Sequence, residues 1–279
     1  MRQPFGRPIP PTRRARHMTL SIDPHFFGSA ILTWVSLFTL AGIALAAGLL
    51  LRGAGELPAP RSAVYGVAIR AVLWGLLGAR AFHVADYASL YADAPLSAFY
   101  VWSGGLSLWG GVLAASAGGL WHAWRRGIAL GRFADAAAVA GLWGIALGRL
   151  GGFLVGERPA EPTTMPWGIV YAHPDAAAHL DGVAVHPVAL YEGLLVMAVL
   201  GLLWALHTGR LARFVRPLPE GAAYVGAIGA YAAGRFVIGF ARVDPSVLGL
   251  QQSQWIALAV LMGVAYYAWR TWAQPSRSS

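Results

Sequence analysis

Seven stretches of mostly apolar residues, separated by polar connections, dominate the chain. They cover residues 27–51, 63–83, 105–124, 133–155, 187–207, 221–241 and 253–270. Each has about the 20 residues that a helix rising about 1.5 Å per residue needs to cross a hydrocarbon core roughly 30 Å thick. Backbone groups in lipid have no water to bind, so such spans must be helical. The pattern therefore predicts an all-α integral membrane protein, a bundle of about seven transmembrane helices.

The arginines of the connections orient this bundle, because positive residues gather on the cytoplasmic side. With the C-terminus inside, the inner connections and the tail carry Arg52, Arg61, Arg125, Arg126, Arg132, Arg210, Arg213, Arg216, Arg270 and Arg277. The outer connections carry only Arg158 and Arg242. We therefore predict that the N-terminus lies outside and the C-terminus inside.

The regions outside the spans suggest a simple domain organisation. Residues 1–26 form an N-terminal leader, 27–270 the transmembrane domain and 271–279 a cytoplasmic tail. The leader holds five arginines on the outer side, at Arg2, Arg7, Arg13, Arg14 and Arg16, which we explain by a translation start at Met18. The connection 156–186 is long, rich in proline, alanine and aspartate, and has no helical period. We expect it to be a periplasmic loop with some local structure.

Composition removes several classes of function. Charged residues make up 12% of the chain, against about a quarter in soluble domains. There is no cysteine, which excludes disulfides, thiolate zinc sites and cysteine nucleophiles. The net charge is +9, but the basic residues lie between the apolar segments instead of forming a stripe, so no nucleic-acid partner is indicated. The histidines have no paired spacing on one helix, so we expect no metal and no cofactor.

Charged residues within the spans are costly and often mark a site. Asp135 and Arg70 lie toward the inner half, and we interpret them as structural. Toward the outer half lie Glu192 and the arginines Arg80, Arg149, Arg235 and Arg242. Guanidinium groups bind phosphate oxygens in a bidentate manner, so the arginines predict a phospholipid headgroup site in the outer leaflet.

Two alternatives to a headgroup site remain open. The arginines could pair with Glu157 and Glu192 and hold the bundle together. A transporter or channel is less favoured, because the charges gather in one leaflet instead of lining a path and no internal repeat is evident. The spacing of Tyr231, Arg235 and Arg242 places all three on one face of the sixth span.

Five segments resemble, in order and spacing, the motifs of bacterial prolipoprotein diacylglyceryl transferases. They are GAR ending at Arg80, VWSGGLSLWGG at 101–111, GRLGGFLVGE at 148–157, HPVALYE at 186–192 and GAYAAGRFVIGFAR at 229–242. Gln254 also fits the last span of that family. The resemblance covers about residues 30 to 270.

The resemblance implies an enzyme of the bacterial cytoplasmic (inner) membrane. It would transfer a diacylglyceryl group from phosphatidylglycerol to the lipobox cysteine thiol in the signal peptide of a preprolipoprotein, releasing glycerol phosphate. By motif, Arg149 and Arg235 would bind the phosphate, and Tyr231 and Glu157 would complete the catalytic set. The implied headgroup-binding residues are Arg80, Arg149, Arg235, Arg242, Gly104, Gly105 and Ser107.

Some motif positions differ from the family pattern. The family histidine that is the usual candidate for accepting the thiol proton corresponds to Trp109, to which we assign no catalytic role, and the aspartate of that motif to Ser103. Two interpretations stay open. In one, transfer persists and another group accepts the proton, such as His83, one helical turn after Arg80. In the other, the chain binds an anionic phospholipid or a protein partner at the outer leaflet without transfer.

Overall fold

The computed structural model describes residues 17–29, 32–53, 55, 57, 59–100, 105–210 and 218–273. Seven long helices lie within these ranges. They are α1 (Trp34–Gly53), α2 (Arg61–Asp86), α3 (Leu108–Arg125), α4 (Leu130–Val155), α5 (Val188–His207), α6 (Ala222–Gly239) and α7 (Gln252–Ala273). Among the described residues, five of these helices, α1, α2, α4, α5 and α6, are long and apolar enough to cross a membrane. The protein is thus a helical integral membrane protein.

Several predicted positions lie outside the described residues. They are Gly104, Ser103, Arg2, Arg7, Arg13, Arg14, Arg16, Arg213, Arg216 and Arg277.

The start of α1 differs from the prediction of a span beginning at residue 27. Residues 26–28 form a short 3-10 turn in which Phe27 and Gly28 have positive φ angles of 49° and 70°. The helix begins after Thr33, whose Oγ1 accepts the Ser36 N–H at 3.1 Å, while Ser36 Oγ accepts the Thr33 N–H at 2.9 Å. This reciprocal cap satisfies two amide groups that would otherwise lack partners.

Glycines allow the helices to pack closely in pairs. Helix α1 packs on α4, and α2 packs on α3. A Cβ atom on Gly42 would collide with the carbonyl oxygen of Gly144, and one on Gly110 would collide with that of Gly78. Small residues let the helix backbones approach closely. The resulting van der Waals packing favours helix association in lipid, where the hydrophobic driving force is missing.

One end of the bundle is tied together by Asp135. Its carboxylate accepts the backbone N–H groups of Gly221 at 2.8 Å and Tyr224 at 2.9 Å, and so caps the N-terminus of α6. A carboxylate at this position satisfies unpaired amides and favours the helix dipole. Arg70 donates to the Gly66 carbonyl of its own helix at 2.9 Å. Both contacts agree with the structural roles predicted for these residues.

The opposite end, called the site end below, carries the C-terminus of α4 and the N-terminus of α5. Here the connection 156–186 contains β2 (Ile169–Tyr171), which pairs in parallel with β1 (Met18–Leu20). Ile169, Tyr171 and Val185, all within this connection, are buried in a small apolar core of its own. The predicted local structure is confirmed, and residues 18–20 belong to it.

A second short ribbon lies between α6 and α7. Strand β3 (Ser246–Val247) pairs antiparallel with β4 (Leu250–Gln251). The ribbon leads directly into α7 and thereby places Gln251 and Gln254 against the end of α6.

Candidate active site

Glu192 lies at the centre of the polar cluster at the site end. Its side chain, in the N-terminal part of α5, is only 1% exposed. Oε1 lies 3.3 Å from Arg235 Nε and 3.3 Å from Arg242 Nη1, and Oε2 lies 3.0 Å from Arg149 Nε. An unpaired carboxylate at this depth would be very costly, so the three guanidinium groups are what allow Glu192 to be charged there.

Further carboxylates surround this centre. Glu157 Oε1 accepts from Arg149 Nη1 at 2.8 Å and lies 4.0 Å from Arg158 Nε. Asp244 Oδ2 accepts from Arg242 Nε at 2.7 Å. In this cluster the four guanidinium groups of Arg149, Arg158, Arg235 and Arg242 face the carboxylates of Glu157, Glu192 and Asp244, and Asp86 lines the adjoining cleft.

The pKa of Asp244 reflects its place in the cluster. Burial favours its neutral form, but the adjacent Arg242 guanidinium outweighs burial and holds the pKa of Asp244 below its usual value. Tyr87 donates from its hydroxyl to Asp244 Oδ1 at 3.2 Å. Asp244 is therefore an anion that links Arg242 to the end of α2.

The end of α4 brings Glu157 back onto Arg149. Gly156 ends the helix in the left-handed conformation, with φ of 62°, and the Glu157 N–H donates to the Gly152 carbonyl at 3.1 Å. A Cβ atom on Gly152 would lie 2.7 Å from the Glu157 carboxylate. The glycine at the cap permits the turn, and Gly152 leaves the space into which Glu157 folds.

Helix α6 contributes Tyr231 and Arg235, whose side chains share one buried face as the four-residue spacing predicts. The same argument is wrong for Arg242, because α6 ends at Gly239 and Arg242 lies in the following turn. Gln251 Nε2 fixes that turn by donating to the carbonyls of Gly239 and Arg242, each at 2.9 Å. Arg242 therefore reaches Glu192 through loop geometry.

A cleft with about 540 Å³ of space, partly open to the exterior, borders the arginines. Arg149, Arg235 and Arg242 line it together with His83, Ser107 and Trp109. A smaller cavity of about 290 Å³ lies beneath the connection 156–186 and is lined by Glu157 and His186. Arg149, Arg158, Glu192 and Arg242 line both spaces and form the wall between them.

Most predicted site residues meet at this wall or in this cleft. The cluster or the cleft lining contains Arg149, Arg235, Arg242, Glu157, Ser107 and His83. Tyr231 packs against the Trp109 ring that lines the cleft, with ring centroids 5.5 Å apart.

Arg80 binds backbone carbonyls of the connection before α3, including that of Gly105, another predicted headgroup residue. Its Nε donates to the Ala98 carbonyl at 2.7 Å, Nη2 to the Ser97 carbonyl at 2.8 Å and Nη1 to the Gly105 carbonyl at 3.1 Å. Gly105 adopts a φ of 73°, which lets its carbonyl face Arg80. The guanidinium thus holds the connection before α3 in place, and through that connection it positions Ser107.

Two residues of the site, Asp244 and Gln251, were not identified as functional from the sequence. Glu192 was among the charged span residues considered as candidates, because a carboxylate within an apolar span is costly, but the only role named for it was pairing with the arginines. Asp244 and Gln251 lie outside spans and carry no comparable signal.

Comparison with known families relates the chain to enzymes of lipoprotein maturation. The family model for prolipoprotein diacylglyceryl transferase matches residues 25–270. The chain belongs to the prolipoprotein diacylglyceryl transferase family. The match contains every residue of the cluster, and it confirms the resemblance read from the sequence motifs.

Individual members of the prolipoprotein diacylglyceryl transferase family agree with this assignment. Phosphatidylglycerol–prolipoprotein diacylglyceryl transferase 2 of Streptomyces coelicolor is 38% identical over 206 residues, covering 71% of this chain and 62% of the relative. The transferase of Mycobacteroides abscessus is 33% identical over 226 residues, covering 74% and 64%. That of Geobacter sulfurreducens is 34% identical over 237 residues, covering 82% and 85%. The chain spans less than two thirds of the first two relatives.

Proposed function

We propose that this family member transfers a diacylglyceryl group from phosphatidylglycerol to the lipobox cysteine thiol of a preprolipoprotein. The observation that carries the proposal is the buried arginine cluster bordering an open cleft at one end of a membrane-embedded bundle. Buried guanidinium groups at the border of the cleft favour a phosphate anion, whose oxygens they bind in a bidentate manner. The family and the activity for which its members are named supply the reaction class.

In the proposed reaction, the thiolate sulfur attacks the glycerol methylene carbon that carries the phosphate. A thioether bond forms, the bond between that carbon and the phosphate oxygen breaks, and the electron pair leaves with the oxygen of glycerol phosphate. The chemistry needs stabilisation of the leaving phosphate and an acceptor for the thiol proton. It needs no metal and no cysteine of the enzyme.

Arg149 and Arg235 are the proposed catalytic donors to the leaving phosphate, with Arg242 beside them as a headgroup-binding residue. Their fixed partners, above all Glu192, hold the guanidinium groups in place before substrate arrives. Such preorganised charge stabilises a transition state without reorganisation during the reaction. Tyr231 and Glu157 support Arg235 and Arg149 respectively, and Ser107 and Gly105 form the neighbouring wall.

His83 is the proposed proton acceptor. It lines the same cleft as Arg235, and its ring lies 4.9 Å from the Tyr87 ring. The Trp109 indole cannot take this role because its N–H only donates. Arg80 supports the site indirectly by holding the connection that carries Ser107, and Gly104 remains a predicted headgroup contact.

We place the site at the outer face of the bacterial inner membrane. In this arrangement all seven helices of residues 27–270 cross the membrane, the N-terminus lies outside, the tail 271–279 lies inside, and 156–186 is periplasmic. The pairing of β1 with β2 supports it, since it puts residues 18–20 at the same end as the 156–186 connection. The lipobox of a translocating substrate emerges on that side.

The test is transfer by purified protein in vitro, with phosphatidylglycerol and a synthetic lipobox peptide. Peptide mass and released glycerol phosphate are followed for the wild type, Arg149→Ala and Arg70→Ala. We expect product from the wild type and from Arg70→Ala, whose arginine donates to a carbonyl of its own helix, and none from Arg149→Ala. Absence of product from folded wild type would contradict the proposal.

A second function is favoured by the buried Trp109, which is 3% exposed and places a donor, not a proton acceptor, in the cleft. In this alternative the protein binds an anionic phospholipid, or a protein partner, without transfer. The same assay separates the two functions. Phosphatidylglycerol that copurifies with the wild type but not with Arg149→Ala, without product, supports the alternative.

A further inference from the structure

Several buried hydrogen-bond donors beside the cleft have no partner among the described residues. They include Trp109 Nε1, Tyr231 OH and Arg235 Nη1, on side chains of residues that are 3%, 4% and 5% exposed, and the Ser253 hydroxyl. Leaving a buried donor unpaired destabilises a fold, and native proteins contain few such groups. Their grouping beside one cleft points to a ligand that completes this site.

The three side chains Trp109, Tyr231 and Arg235 come from two helices. Tyr231 and Arg235 lie one turn apart on α6, and Trp109 lies at the start of α3. The Trp109 and Tyr231 rings meet edge to face, with centroids 5.5 Å apart and planes at 64°. Trp109 and Arg235 both line the 540 Å³ cleft, so a molecule in that cleft can meet donors from both helices.

The chemistry of the donors selects the ligand. An indole N–H and a guanidinium N–H can only donate, so the ligand must present acceptor atoms to both. The guanidinium groups of Arg235 and Arg242 line the same cleft and match the oxygens of a phosphate, which favours an anionic ligand over water. Gln251 Oε1 also lacks a partner, but as an acceptor it suits a ligand hydroxyl instead.

We propose that the Trp109 indole N–H is a phosphate-binding donor, acting with Tyr231 OH and Arg235 Nη1 on the phosphate oxygens of the bound ligand. The identity of that ligand as the donor phospholipid rests on the proposed function. Trp109 is then a substrate contact instead of a packing residue. These donors favour binding and departure of the phosphate anion. Because the indole and guanidinium groups accept no proton, another group must accept the thiol proton.

The direct test observes the Trp109 indole by NMR. Protein labelled with ¹⁵N at the tryptophan indoles is prepared in detergent, and the Trp109 signal is assigned by its absence in Trp109→Phe and Trp109→His. The four probes are dihexanoylphosphatidylglycerol, glycerol phosphate, inorganic phosphate and dihexanoylglycerol. We expect the Trp109 indole proton to move downfield with the first three and to stay in place with dihexanoylglycerol, which lacks phosphate.

The relative affinities of the probes identify the source of the phosphate. Saturation at lower concentration with the phospholipid than with inorganic phosphate supports a lipid headgroup. Equal saturation by both supports a free-phosphate site and overturns the assignment to the phospholipid. An indole signal unmoved by every bound phosphate ligand, or moved equally by dihexanoylglycerol, overturns the role of Trp109.

Affinity measurements on variants provide an independent readout. We expect Trp109→Phe to bind phosphatidylglycerol about 10- to 100-fold more weakly, the loss of one hydrogen bond to a charged group. Trp109→His retains a ring N–H and should recover part of this loss. The matched control is Trp124→Phe on the same helix, whose tryptophan is 63% exposed. Equal affinities for the Trp109→Phe and Trp124→Phe proteins would overturn the inference.

The inference and the proposed function can fail separately. If the Trp109 indole responds to phosphate but the protein forms no transferase product, the phosphate site stands and the proposed enzymatic function is overturned. If the protein forms product but its Trp109 indole signal does not move with phosphate ligands, the enzymatic function stands and this role of Trp109 is overturned.

Discussion

The Glu192 carboxylate lies 3.3 Å from the Arg235 guanidinium, with the two side chains only 1% and 7% exposed. Arg149 and Arg242 contact the same carboxylate from α4 and from the turn after α6. One anion therefore joins three elements that are far apart in sequence. Glu192 thus holds the three guanidinium groups in place at the border of the cleft.

Replacement of Glu192 tests this central role. Glu192→Gln leaves Arg149, Arg235 and Arg242 without their shared anion, so we expect the free energy of unfolding to fall by about 3 to 5 kcal/mol. The measurement is thermal or denaturant unfolding in detergent. The control is Glu161→Gln in the 156–186 connection, which should change stability little. A Glu192→Gln protein as stable as the wild type would show that the cluster does not depend on this charge.

Replacement of Arg235 by lysine separates charge from geometry. Lysine keeps the positive charge but has no planar set of donors, so Arg235→Lys should lower the transfer rate by about 10²-fold or more. Transfer kinetics with phosphatidylglycerol are the measurement, and Arg70→Lys is the control. Equal rates for Arg235→Lys and the wild type would mean that a point charge is sufficient.

Gly152→Ala tests the space into which Glu157 folds. The added methyl would lie 2.7 Å from the flexible Glu157 carboxylate, so we expect that carboxylate to move away from Arg149. Transfer should fall while the protein stays folded. Gly141→Ala on the same helix is the matched control, because a Cβ there meets nothing within 4 Å. Similar activity in both variants would argue against a role for the Arg149 and Glu157 pair.

The Asp244 carboxylate predicts a loss of stability in acid. Its pKa lies below the usual 3.8, so its ion pair stabilises the fold at pH values above 3.8. That contribution is lost as the pH falls from there through the folded-state pKa. The free energy of unfolding should therefore fall less steeply between about pH 5 and 3 for Asp244→Asn than for the wild type. Exposed Asp93→Asn should retain the wild-type slope, and identical slopes for all three proteins would contradict the prediction.

The membrane orientation can be tested by labelling, because the chain has no cysteine of its own. A membrane-impermeant maleimide applied to intact spheroplasts should label Asp175→Cys, in the 156–186 connection. It should label Arg126→Cys, in the connection between α3 and α4, only after the membrane is opened. The reverse pattern would place the site end in the cytoplasm.

The lengths and positions of the helices were predictable from sequence because each depends on a local property, the length of an apolar run. The cap at Thr33 and Ser36 is also local, and it could have corrected the predicted start of the first span. The shared face of Tyr231 and Arg235 follows from helical periodicity alone. Arg149, Arg235 and Arg242 are indicated by their charge toward the outer half of apolar spans, and the family motifs contain the same three residues.

The partners of those residues were decided only by tertiary structure. Sequence order says nothing of which carboxylate each arginine meets, since Glu192 lies on α5 and reaches α4 and α6 only through helix packing. Arg80 illustrates the same limit, because the carbonyls it binds belong to a loop whose path no periodicity predicts. The sequence by itself determined a membrane bundle with arginines toward one end. Packing determined which charges are balanced and which donors remain for a ligand, because both depend on distances between side chains of different helices.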